Sequence, residues 1–282
     1  MGRIAIIGAG ELGGAIARTL ASRGRVGEVR LIDEAAELAA GKALDIQQAG
    51  PLERSATRLS SAGDVTAAAG ASAIVIADAA CLPPQDQPND RDLALLRRLA
   101  ALAGETVVIL AGASHREVMQ RGLEELRLPA GRVIGSAPEA LAAALRALAA
   151  LEADASPANV ALSVLGRPPD RIVVPWNEAT IAGHALVDVL RAPQLLRLRQ
   201  RLPALWPPGP YALASAAARI AEAVVLGSRR LFSCFAAIDR GSGARGSLCM
   251  WTVALGTSGL ERIVMPSLSA RDQVLVDGAA EP

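Results

Sequence analysis

Residues 3–33 read R-I-A-I-I-G-A-G-E-L-G-G-A-I-A-R-T-L-A-S-R-G-R-V-G-E-V-R-L-I-D, and no other stretch narrows the possible folds as much. An apolar run meets a glycine cluster, a helical pattern follows, and a second β-branched run ends on an acid. In such a strand–turn–helix each glycine has a physical task. Gly8 permits the tight turn, Gly10 lets the backbone approach a bound pyrophosphate, and Gly13 lets the helix pack closely on the strand. The helix start, with Glu11 and Leu12 at its first positions, offers unpaired N–H groups and a partial positive charge to phosphates. Asp33 closes the second strand, where a carboxylate accepts hydrogen bonds from ribose hydroxyls and repels a 2′-phosphate. The pattern therefore predicts a dinucleotide site with NAD, rather than NADP, as cofactor. Glu34 beside it reads as a solvated acid at a helix start.

The alternation continues down the first half. Strand-like runs fall at 3–7, 28–32, 73–77, 106–110 and 132–134, with amphipathic stretches at 12–21, 35–48, 92–103 and 117–126 between them. Strands alternating with helices argue for a parallel sheet covered on both faces. Right-handed crossovers then leave a doubly wound α/β fold as the expected outcome. After about Gly135 the pattern changes. A helix at 139–151 leads to a strand pair around V-L-G-R-P-P-D-R-I-V-V-P (164–175), then a helix at 211–226 and strand-like runs at 231–238, 246–255 and 260–265. Strands without intervening helices predict a smaller α+β domain with antiparallel strands. The expected division is a nucleotide-binding domain at 1–138 and a substrate-type domain at 139–282, and L-W-P-P-G-P (205–210) should end one helix before the next begins.

Composition removes several classes of partner. A formal net charge of +1 gives no electrostatic case for nucleic acid or a membrane surface, and 2% aromatic residues leave few stacking platforms. No apolar run is long enough to span a bilayer. The start M-G-R-I-A-I-I-G enters a strand directly, without a signal-peptide pattern, so a cytoplasmic protein is expected. Cys81, Cys234 and Cys249 are odd in number and far apart, which predicts inert thiols rather than a disulfide or a metal site.

The stretch L-I-D-E-A-A-E-L-A-A-G-K-A-L-D-I-Q-Q-A-G-P-L (31–52) resembles the lactate/malate dehydrogenase family, as do G-R-V-I-G (131–135), S-V-L-G with V-V-P, and G-L-E-R-I-V near the end. The resemblance implies a Rossmann domain joined to a catalytic domain, usually in dimers or tetramers, oxidising a 2-hydroxy acid with NAD. It also implies a histidine base held by an aspartate, one arginine gripping the substrate carboxylate, and a second polarising its carbonyl. The histidine belongs in G-G-H-G-D; here that place reads G-R-P-P-D, with Pro168 on the histidine and Asp170 on the final acid. The aspartate and anchoring arginine belong in L-D-x-x-R, where this chain has Leu141 and Ala144, with Glu139 and Arg146 nearby. Gly112 stands where the family has a substrate-contacting asparagine. In the loop L-P-P-Q-D-Q-P-N-D-R-D-L, Arg91 matches the carbonyl-polarising arginine, and Gln85 falls where lactate enzymes tend to have glutamine and malate enzymes arginine.

Chemistry lost from one place can be moved. His115, in A-S-H-R-E at the C-terminal side of a parallel strand, reads either as a recruited base or, more plainly, as a polar residue at a helix start capped by Ser114. His184, in a segment that reads as a loop, is a weaker candidate. Arg167 either projects into the cleft as a carboxylate fork or lies on the surface. The expectation is an NAD-binding protein of this family with lost or strongly reduced dehydrogenase activity, a pseudoenzyme. The alternatives are an oxidoreductase acting on another small carboxylate through recruited residues, and a structural protein that binds no nucleotide. Segment 35–48 resembles the family's subunit-contact helix, while 193–210 is short beside the family's helix there, so a homodimer is expected before a tetramer.

Overall fold

The computed structural model describes residues 2–78, 88–237 and 248–279. Its first half contains β1 (Arg3–Ile7), α1 (Glu11–Arg23), β2 (Glu28–Ile32), α2 (Ala36–Glu53), β3 (Arg58–Ala62), β4 (Ala73–Ile76), α3 (Pro88–Ala103), β5 (Val107–Leu110), α4 (His115–Glu125) and β6 (Val133–Gly135). The six strands are parallel in the order β3-β2-β1-β4-β5-β6. β4 and β5 are buried along their whole length, as strands covered on both faces must be, and this is why they read as unbroken apolar runs. Strand order reverses between β1 and β4, so the crevice above their C-terminal ends is where a ligand is expected to bind.

The second half adds α5 (Ala137–Glu152), β7 (Val160–Ala161), β8 (Leu165–Arg167), β9 (Arg171–Val173), β10 (Thr180–Ile181), β11 (His184–Ala185), α6 (Leu186–Val189), α7 (Ala192–Arg201), α8 (Pro210–Leu226), β12 (Leu231–Ala237), β13 (Leu248–Gly256), β14 (Gly259–Ile263) and α9 (Ala270–Ala279). The expected antiparallel strands are present, and most of them extend the parallel sheet. β12 pairs with β6 through Phe235 and Gly135, β13 follows β12, and β8, β9 and β14 complete an eleven-stranded sheet. The strands β11-β10-β7 form a separate small sheet over a satellite core that includes Val160, Ile181, Leu186 and Leu198. Helix α8 packs on α1 and α5, and its buried Ala214, Ala217, Ala218 and Ala221 allow that close approach. Among the described residues no helix is long and apolar enough to cross a membrane.

Two differences from the sequence reading have a clear cause. β3 (R-L-S-S-A) lacks an apolar run because it is the sheet's outer strand, paired only with β2 and never fully buried. His184 lies in β11, opposite Ile181 of β10, rather than in a loop; a two-residue strand is too short to show alternation. Gln85 and Cys81 lie outside the described residues.

Candidate functional site

The glycine loop joins the buried end of β1 to α1. Gly8 adopts φ +100°, and a Cβ there would stand 2.2 Å from the Asp78 carbonyl oxygen. A Cβ on Gly13 would lie 1.9 Å from the Gly8 carbonyl oxygen, so the first turn of α1 rests directly on the loop. Gly13→Ala is therefore expected to lift α1 off β1 and destabilise the fold by about 3 kcal/mol, the upper part of the range for overpacking. A denaturation midpoint equal to that of the unaltered chain would refute this packing.

Nearly every polar group of the loop has a partner. The Ala9 N–H donates to Asp33 Oδ2 at 2.7 Å, and the Ala35 N–H donates to Asp33 Oδ1 at 2.9 Å. Lys42, from the G-K-A-L-D run, donates through Nζ to the carbonyls of Ala9 (2.6 Å) and Gly10 (2.7 Å). The Gly10 N–H donates to the Asp78 carbonyl at 2.9 Å. The Asp78 side chain takes the amides of Leu12 (3.0 Å, to Oδ2) and Gly13 (2.8 Å, to Oδ1), which are two of the first N–H groups of α1. Gly10, the residue before the helix, has no side chain to cap it, so the cap comes from just beyond β4. Neither Lys42 nor Asp78 was a candidate from sequence. The acid in V-I-A-D was the available signal for Asp78, since a strand's C-terminal end faces the glycine loop in this topology.

Beside the loop lies a cavity of about 450 Å³ lined by Gly8, Asp33, Val65, Asp78, Arg91 and His115, among others. That volume is within the usual range of small-molecule sites. Arg91, at the start of α3, donates to Glu34 at 3.2 Å, and its Nη1 is buried with no partner among the described residues. Glu34 is thus exposed and ion-paired. Asp33 is buried. A carboxylate has about four lone-pair sites, so holding the loop and receiving ribose hydroxyls are compatible roles for it.

His115 also reaches this cavity, at the start of α4, and is buried. Its Nδ1 accepts the Gly112 N–H at 3.0 Å, which places the ring proton on Nε2, 3.3 Å from Asp92 Oδ2. A Cβ on residue 112 would come within 2.9 Å of the imidazole, so the glycine makes room for the ring. Both ring nitrogens are committed. Arg167, at the end of β8, lies near Arg116 of α4. Burial, and then the charge of Arg167, hold the Arg116 guanidinium below its usual range. Burial, with Glu139 adding to it, pushes the Cys234 thiol well up, and Cys249 donates to the Ala279 carbonyl at 3.0 Å. Cys234 is therefore not an available thiolate nucleophile.

A family model for the NAD-binding domain of lactate/malate dehydrogenase matches residues 2–95. Malate dehydrogenase of Roseobacter denitrificans is 28% identical over 98% of this chain and 93% of its own length. That of Thermomicrobium roseum is 26% identical over 99% and 94%. Residues 2–95 are thus similar to the NAD-binding domain of lactate/malate dehydrogenases, and the whole chain is similar to malate dehydrogenases. NAD is the cofactor of the matched domain. The fold agrees: malate dehydrogenase from Salinibacter ruber superposes with a TM-score of 0.85 at 21% identity, covering 99% of this chain and 94% of that one. Lactate dehydrogenase from Cryptosporidium parvum, solved with lactic acid and NAD, gives 0.83 at 21% identity, covering 98% and 94%.

The positions that the resemblance reserves for the catalytic histidine, its aspartate and the anchoring arginine lie in the second half of the chain. Pro168 sits half-buried in the turn between β8 and β9, and Asp170 is exposed. Leu141 is fully buried in α5, and Ala144 lies one turn further along. Glu139 and Arg146, the nearest acid and base, form an ion pair with each other. Glu139 also accepts the Ser233 N–H at 3.0 Å, which ties α5 to β12.

Proposed function

We propose that this family member binds NAD but has lost, or strongly reduced, the ordinary oxidation of 2-hydroxy acids. One observation carries the reading: neither of the two histidines presents a free ring nitrogen where the family keeps its base. Pro168 occupies that place, His115 has both nitrogens engaged, and His184 is exposed on the small sheet. A proline ring can neither take up nor release a proton.

The residues present fit the adenosine half of NAD: a cavity of suitable size, the Asp33 carboxylate beside it for the ribose, and a glycine cradle that a Cβ would fill. The amides at the start of α1, from Glu11 to Gly13, are the donors the phosphates would meet, those of Leu12 and Gly13 in exchange for Asp78. Arg91 faces the same cavity and serves the nucleotide end. When bound, NAD supplies the hydride acceptor. The test pairs calorimetric titration with NAD against turnover of malate and lactate. Binding without turnover is the expected result, and turnover at an ordinary enzymatic rate would overturn the proposal.

A second reading, oxidation of another small carboxylate, draws on Arg167, whose charge adjoins Arg116 beside the Pro168 turn. NAD reduction by some member of a panel of 2-hydroxy acids would favour it. Self-association as a homodimer is supported by α2, which leaves Leu38, Leu44 and Leu52 exposed. Sedimentation at micromolar concentration is expected to give a dimer; a monomer would exclude it.

A further inference from the structure

Asp78 is placed where the resident helix amides would meet a ligand's phosphates. Its backbone meets the glycine loop on one side, through the Gly10 N–H, and its carboxylate bridges the Leu12 and Gly13 amides on the other. A helix N-terminus attracts an anion because its first amides lack partners and the helix dipole is positive there. In this chain a side-chain carboxylate from just beyond β4 already answers both needs. Asp33 sits on the same loop, so two carboxylates stand by the cradle. Lys42, the cation bonded to the loop among the described residues, is turned toward the carbonyls of Ala9 and Gly10.

We propose that Asp78 is an internal occupant of the pyrophosphate site and sets the affinity of this chain for dinucleotides. A pyrophosphate and the carboxylate compete for the same two amides and repel each other. NAD therefore binds with its phosphates seated only in the fraction of molecules whose Asp78 has turned away, and its apparent affinity falls by that fraction. In the nucleotide-free chain the same contact keeps the first turn of α1 capped. The inference rests on reading the glycine loop as the NAD site, and the test separates the two.

Adenosine and NAD are titrated calorimetrically into the full-length chain and into Asp78→Ala and Asp78→Asn. The unaltered protein is expected to bind the two with similar affinity, since the phosphates contribute little. Asp78→Ala should bind NAD tenfold or more tightly relative to adenosine, and Asp78→Asn, which keeps the shape without the charge, should gain less. Inorganic pyrophosphate should raise the melting temperature of Asp78→Ala, by restoring an anion to the vacated amides, and leave that of the unaltered chain in place. Should Asp78→Ala fail to fold, Asp78→Asn carries the comparison. Equal or weaker NAD binding by the variants, with adenosine still bound, would overturn the role of Asp78. Failure of all three proteins to bind either compound would overturn the nucleotide site itself, and this inference with it.

Discussion

Purified protein supplied with NAD and either malate or lactate is expected to turn over below about 10⁻³ s⁻¹, against roughly 10 s⁻¹ for a typical enzyme. Two losses compound. Without a general base the rate falls by about 10²–10⁴. Without the anchoring arginine, whose family position is Ala144, two charge-assisted hydrogen bonds of about 1.5–3 kcal/mol each are missing. At 1.4 kcal/mol per factor of ten, that second loss is again about 10²–10⁴. Both interactions are ones that strengthen toward the transition state, so cofactor binding does not replace them. Pro168→His alone is expected to leave the protein inactive, because fully buried Leu141 offers no carboxylate to hold and orient the new imidazole. A rate above about 0.1 s⁻¹ for the unaltered chain, within a hundredfold of the typical enzyme, would sink the argument.

Glu139→Ala is expected to cost about 3 kcal/mol, the low end of the range for breaking a buried ion pair, since Arg146 is partly exposed. The carboxylate is a junction. One oxygen holds the Arg146 guanidinium two turns along α5, and the other receives the Ser233 N–H from β12. The Ser233 hydroxyl in turn accepts the Val164 N–H at 3.1 Å, just before β8. Truncation to alanine strands a guanidinium whose remaining hydrogen bond among the described residues is a long one, 3.4 Å to the Leu162 carbonyl, and leaves a buried backbone donor unpaired. For a chain of this size the melting temperature should fall by about 6–12 °C. Glu139→Gln keeps an acceptor for Ser233 and should cost less. A fall of under about 2 °C for the alanine variant, less than 1 kcal/mol on the same scale, would show that the junction contributes little.

Much of the nucleotide half was legible from the chain itself. β1, β4 and β5 are mostly apolar because both their faces are buried, and Gly8 and Gly13 are glycines because backbone oxygens stand about 2 Å from where a Cβ would be. Pattern rules read such features directly. β3, with one strand neighbour, and the two-residue strands of the small sheet left no periodic trace.

That Pro168 cannot act as a base follows from covalent chemistry and needs no coordinates. The same holds for the strand–glycine–helix signature and for the acid at position 33. The state of His115 is a different kind of fact. An imidazole is competent or committed according to what its nitrogens touch, and only the folded chain brings Asp92 and the Gly112 amide to them. Asp78 lies 66 residues from Leu12 and 65 from Gly13. Hydrogen bonds over such separations are made by the sheet that sets β4 beside β1, so local sequence encodes the cradle while tertiary contact decides which anion rests in it.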